Sequence, residues 1–66
     1  MDYQFIDKKG KHRYDSLLNA REAAEASCIE TKKDVMLQEC QSGKVKCIFT
    51  YTENPDGTGK AKISLP

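Results

Sequence analysis

Charge of one sign, closely paired cysteines and long apolar runs are all missing from this chain, and each absence argues against a class of function. Eleven lysines and arginines stand against ten acids in 66 residues, so there is no overall basic excess of the kind a dedicated nucleic-acid binder carries, although local clusters remain open. No apolar stretch approaches the roughly 20 residues of a membrane-spanning helix. The opening segment Met1-Asp2-Tyr3-Gln4-Phe5 has no basic region leading into an apolar run, so no export signal is read there. Cys28, Cys40 and Cys47 are odd in number and not closely spaced. Without an export signal they read as reduced thiols, and the expected location is cytoplasmic.

Catalytic equipment is equally sparse. The single histidine, His12, stands between Lys11 and Arg13 and reads as a solvated surface residue. The serines lack the strand-turn-helix context of a nucleophile elbow, and no two carboxylates sit in an acid–base frame. No enzyme activity and no cofactor are expected. His12, Cys28, Cys40 and Cys47 supply four residues of zinc-ligating type, but no Cys-x-x-Cys pair exists to form a knuckle. Core packing is the reading for the thiols, because free cysteine is commonly buried as a small apolar residue. No glycine-rich phosphate loop follows any strand-like run, so nucleotide binding has no support.

What is present is a single small α+β domain spanning residues 1–66, with one helix packed on one face of an antiparallel sheet in the order ββαβββ. A chain of this size buries only about 60% of its unfolded surface. Against that, roughly 1.5 kcal/mol of ordering entropy per residue leaves a sum near zero. A second body, either another copy or a partner, therefore bears on its stability.

Tyr3 to Ile6 reads as a first strand, Gly10 as the permissive residue of a tight turn, and His12 to Tyr14 as a short, charged edge strand. Ser16 is the expected N-cap of a helix over about Leu17 to Thr31. In that helix Leu17, Ala20, Ala24 and Cys28 recur at three- and four-residue steps, and Ala23 and Ser27 widen the stripe. Small side chains let the helix axis approach a sheet closely. Arg21, Glu22 and Glu25 point away, and Lys32 and Lys33 complement the helix dipole at its C-terminus.

Val35 to Cys40 and Val45 to Thr52 form the clearest hairpin. With Ser42-Gly43 as a two-residue turn, Glu39 faces Lys46 and Leu37 faces Ile48. One face then carries Met36, Gln38, Cys40, Val45, Cys47, Phe49 and Tyr51, and is the expected helix side. The other carries Val35, Leu37, Glu39, Lys46, Ile48 and Thr50. A slip of one residue exchanges the faces. Asn54-Pro55-Asp56-Gly57 is a strong turn signal, and Lys60 to Leu65 alternates as a last strand with its lysines toward water.

The candidate binding groups are charged and aliphatic. Lys8, Lys9, Lys11, His12 and Arg13 cluster on the first hairpin, and Lys44 and Lys46 add charge at a second turn. Such clusters neutralise phosphates or meet an acidic protein surface, or they simply protect edge strands. Tyr3, Phe5, Tyr14, Phe49 and Tyr51 are either stacking platforms for bases or the core itself. Val35, Leu37 and Ile48, on the face assigned away from the helix, form the expected dimer or partner face.

Ser16-Leu17-x-x-Ala20-Arg21-x-x-Ala24, then Cys28, then Val35-Met36 opening a hairpin with Gly43 at its turn, resembles small phage- and plasmid-borne ββαβββ proteins. Among these is an anti-CRISPR inhibitor of multi-subunit DNA-surveillance complexes. The likeness covers roughly residues 13 to 52. It implies a protein without catalytic residues that docks on a host protein or nucleoprotein complex where target DNA should lie. The expected contacts are then Lys8, Lys9, Lys11, Arg13, Arg21, Lys44 and Lys46, although Glu22 and Glu25 make this helix acidic where such a docking surface would be basic. The alternatives are a small nucleic-acid-binding regulator using the same lysines, or a homodimeric interaction module.

Overall fold

The computed structural model describes all residues, Met1–Pro66. Its elements run β1 (Tyr3–Asp7), β2 (Gly10–Tyr14), α1 (Leu17–Thr31), β3 (Val35–Glu39), β4 (Val45–Glu53) and β5 (Gly59–Ser64). All five strands form one antiparallel sheet in the order β2-β1-β3-β4-β5, so the central strand β3 enters only after the helix crosses one face. The architecture is the expected α+β one.

Local chemistry accounts for the helix ends. Ser16 has extended backbone angles (φ −121°, ψ 131°), and its hydroxyl accepts from the Asn19 backbone N–H at 3.4 Å, satisfying one of the free donors of the first turn. Lys32 closes the helix in the left-handed region (φ 58°), its N–H and that of Lys33 both directed at the Cys28 carbonyl. Ala20, Ala24, Ser27 and Cys28 are the buried helical residues. They are small, so the helix lies close on the sheet, and Cys28 Sγ donates to the Phe49 carbonyl at 3.6 Å. The core comprises Phe5, Ala20, Ala24, Cys28, Val35, Leu37, Cys47 and Phe49. Burying each large apolar side chain contributes about 1.5–3 kcal/mol, and there are few of them.

The β3–β4 pairing departs from the expected register. Val35 pairs with Phe49, Met36 with Ile48 and Leu37 with Cys47. The turn is a longer loop, Cys40 to Gly43, closed by Glu39 N–H to the Lys44 carbonyl and Gly43 N–H to the Glu39 carbonyl, both 2.9 Å, with Gly43 at φ 72°. The pairing then shifts between Leu37 and Gln38, leaving Lys46 as the extra residue of a β-bulge. Loop and bulge together change the register by one, which turns β3 over relative to the expectation. Val35 and Leu37 are buried beneath the helix with Cys47 and Phe49. Met36, Gln38 and Val45 lie on the opposite face with Ile48. The pair Val35 and Leu37 is therefore core and not a dimer or partner face; of that trio only Ile48 looks outward. Glu39 and Lys46 still meet, Nζ to Oε2 at 3.3 Å, because the bulge brings Lys46 to the same side.

Candidate interaction surface

His12 is not the solvated side chain expected from its charged neighbours. It pairs across the hairpin with Phe5, which puts it on the inward face; the rings stack at 4.9 Å, and Tyr14 stacks on Phe5 at 6.0 Å. His12 Nε2 lies 2.9 Å from Asp7 Oδ1, while Ser27 Oγ donates to Asp7 Oδ2 at 2.7 Å. The Asp7 carboxyl is lowered to about 2, first by the Ser27 hydroxyl and then, against the opposing cost of burial, by His12 and the Lys9 backbone N–H. Serine and histidine bond to the two oxygens of one carboxylate and not to each other. That geometry ties the first hairpin to the helix and is not a nucleophile–base pair.

The thiols occupy separate surroundings. Cys28 and Cys47 are buried between helix and sheet, and burial raises both of their thiols, which disfavours the reactive thiolate. Cys40 is half-buried and donates to Gln4 Oε1 at 3.6 Å. No cluster of three or more His, Cys, Asp or Glu side chains stands close enough to hold a metal ion.

The seven basic residues expected as contacts do not form one surface. Lys9 pairs with Glu30 at 2.9 Å, Arg13 with Asp2 at 2.8 Å and Lys46 with Glu39. Arg21 lies on the helix, at a groove of about 260 Å³ that it lines with Leu18, Glu22, Glu25, Phe49 and Ile63. Lys8 and Lys44 are exposed at two different turns. Only Lys11 and Arg13 lie on the sheet face that the helix leaves uncovered.

That uncovered face is the distinctive surface of the molecule. By strand alternation it carries Gln4, Ile6, Met36, Gln38, Val45, Ile48, Thr50 and Thr52. Ile6 is 63% exposed, Met36 44% and Ile48 38%, and Met36 and Ile48 are direct cross-strand neighbours. Lys11 and Arg13 border this aliphatic centre on β2, and Lys60 and Lys62 border it on β5, opposite Thr52 and Thr50. Asp2, held by Arg13, is the acid beside it. The acids Glu22, Glu25 and Glu30 belong to the exposed side of the helix. A net charge near zero therefore conceals a basic sheet face and an acidic helix face. Lys60 and Lys62 are legible as water-facing lysines, but their place beside Ile48 is set by the β4–β5 register.

All five aromatic residues lie on the covered side: Phe5 and Phe49 in the core, Tyr3, Tyr14 and Tyr51 packed against it. No helix is long and apolar enough to cross a membrane. Comparison with protein-family models, with curated proteins and with solved structures gives no match to this chain.

Proposed function

We propose that this chain is a non-enzymatic binding protein of the cytoplasm that docks by its uncovered sheet face on a protein surface of a host macromolecular complex, as the mobile-element inhibitors it resembles do. The observation that carries the reading is the composition of that face: an aliphatic centre of Ile6, Met36 and Ile48 between two basic margins. Apolar centre and polar rim are the anatomy of protein–protein interfaces, and the basic margins favour an acidic rim on the partner. A nucleic-acid regulator fits less well, because single-stranded bases are held by aromatic stacking and every aromatic here lies in the core or packs against it.

The test is affinity capture from a bacterial lysate with three baits: the native protein, an open-face variant (Ile6→Asp with Met36→Glu) and a helix-face control (Glu22→Lys). The expected outcome is a specific partner retained by the native and control proteins and lost by the open-face variant. A partner that all three retain, or none at all, overturns the reading. A gel shift with DNA or RNA that fades steeply as salt rises would replace it with phosphate binding.

A further inference from the structure

We propose that the β5 edge is a self-association seam, where a second copy of this chain pairs antiparallel to β5 and extends the sheet across a two-fold axis centred on Ile63. The argument begins with which backbone groups β5 leaves free. Residues of an antiparallel pair alternate between hydrogen-bonded and non-bonded positions. Asn54 N–H donates to the Thr58 carbonyl at 2.7 Å, and Tyr51 N–H turns the other way, to Asp34 Oδ1 at 2.9 Å. Both observations give the same phase: Lys60, Lys62 and Ser64 bond to β4, and Gly59, Ala61 and Ile63 direct their N–H and C=O groups outward.

Charge then narrows the occupant and the register within the apolar half of the strand. Pairing two β5 strands about Ala61 sets Lys60 opposite Lys62, and pairing about Lys62 sets that lysine against its own copy; like charges directly opposite are unfavourable. Centring on Ile63 sets Lys62 opposite Ser64 and Ala61 opposite Leu65, with no lysine facing a lysine. The same operation fails at the other edge. By the same alternation the outward groups of β2 belong to Lys11 and Arg13, since Cys40 N–H bonds the Asp2 carbonyl and so assigns Tyr3, Phe5 and Asp7 to β2. Self-pairing centred on Lys11, His12 or Arg13 opposes cation to cation.

The surface above the seam matches. A two-fold axis normal to the sheet places both helices on the same side, so the grooves beside the two β5 strands merge. Each contributes the exposed apolar groups Leu18, Ile63 and Leu65, and each groove is rimmed by Arg21 together with Glu22 and Glu25. A rim bearing both signs is complementary to its own copy, which an isologous contact requires. On the opposite side the two uncovered faces become one.

Sedimentation equilibrium on the isolated protein, from dilute to near-millimolar, tests the seam without any partner. The native chain is expected to pass from monomer to dimer. Ile63→Pro removes an N–H that the monomer leaves in solvent, a placement an edge strand tolerates, and is expected to stay monomeric with its circular dichroism unchanged. Ser64→Asp sets a carboxylate opposite Lys62 of the second copy and is expected to tighten the dimer several-fold, a gain no folding defect can mimic. Ile6→Asp, on the docking face, is expected to dimerise normally. A native protein monomeric throughout overturns the seam, as does a dimer that Ser64→Asp leaves unchanged or weakens; should Ile63→Pro fail to fold, the Ser64→Asp result decides.

Discussion

At the β2 edge the outward backbone groups belong to Lys11 and Arg13, and at the β5 edge to Gly59, Ala61 and Ile63. The first hairpin is also tied down by side chains: Asp7 bonds Ser27 and His12, Lys9 meets Glu30, and three rings stack inward of β2. No side-chain hydrogen bond joins β5 to the helix; their common ground is the groove between Ile63 and Leu18. One margin of the sheet is thus clamped, with cations on its outward backbone positions, while the other carries small and apolar residues at those positions and keeps its lysines on the strand-bonded ones. Edge strands invite pairing unless something opposes it, and here the opposition is concentrated at one end.

Equivalent truncations at the two margins should therefore differ most. Phe5 is buried beneath the helix and stacked on both His12 and Tyr14, so Phe5→Ala should cost about 3–5 kcal/mol. Ile63 is 38% exposed, and Ile63→Ala at concentrations where the protein is monomeric should cost under about 1 kcal/mol. Urea denaturation of both variants measures the contrast. Equal losses would mean that the β5 margin is as firmly packed as the first hairpin.

Gly59 is the second break point. A β-carbon built there would collide with the hydroxyl end of the Tyr51 ring, which lies diagonally across the β4–β5 pair and covers the glycine, an arrangement known to support glycine in sheets. Gly59→Ala should destabilise by about 2 kcal/mol through overpacking, read as a lower urea midpoint. In a Tyr51→Leu background the same substitution should cost distinctly less, because neighbouring sites couple.

A smaller effect with a pH signature belongs to the clamp. The Asp7 carboxyl lies at about 2 against an ordinary 3.8. An acid held lower in the folded state contributes stability that is present above its ordinary value and lost as pH falls through the folded one. Stability should decline between about pH 4 and pH 2 on this account. Ser27→Ala removes the largest cause of the shift, so the variant should be less stable than the native protein at neutral pH, by less than Gly59→Ala, and should converge on it across that acid window. Urea midpoints measured at several pH values check both parts. A constant difference down to pH 2 would mean that the hydroxyl acts by packing alone.

How far the sequence discloses these margins follows from the range of the interactions involved. The helix and its cap are legible because they are set within a few residues: Ser16 reaches Asn19, and Ala20, Ala24 and Cys28 recur on one face. The Asn54–Gly57 turn is legible for the same reason, with Gly57 at φ 90°. The β3–β4 register is not, because a longer loop and a bulge at Lys46 act together, and alternation alone cannot count an inserted residue. One miscounted residue sent Val35 and Leu37 outward and Met36 inward, and with them the site. His12 was misread for a related reason: its neighbours in sequence are charged, but its neighbours in space are Phe5 and Asp7, the second reaching Ser27 across twenty positions. Of the seven cations read as partner contacts, Lys9, Arg13 and Lys46 each have an acidic partner, which composition does not show.

Those internal pairs give the comparison its smallest test. Lys9 and Glu30 meet at 2.9 Å, the lysine held above and the glutamate below its ordinary value by the other, so the pair looks like part of the clamp. Both side chains are more than half exposed, however, and exposed pairs gain little once the ordering of two long side chains and screening by salt are counted. Lys9→Ala should leave the urea midpoint where it is at physiological ionic strength, and any small loss should appear only at low salt. A clear loss that persists at high salt would mean that Lys9 holds the hairpin through its aliphatic stem, which would extend the clamped margin from Asp7 to the turn itself.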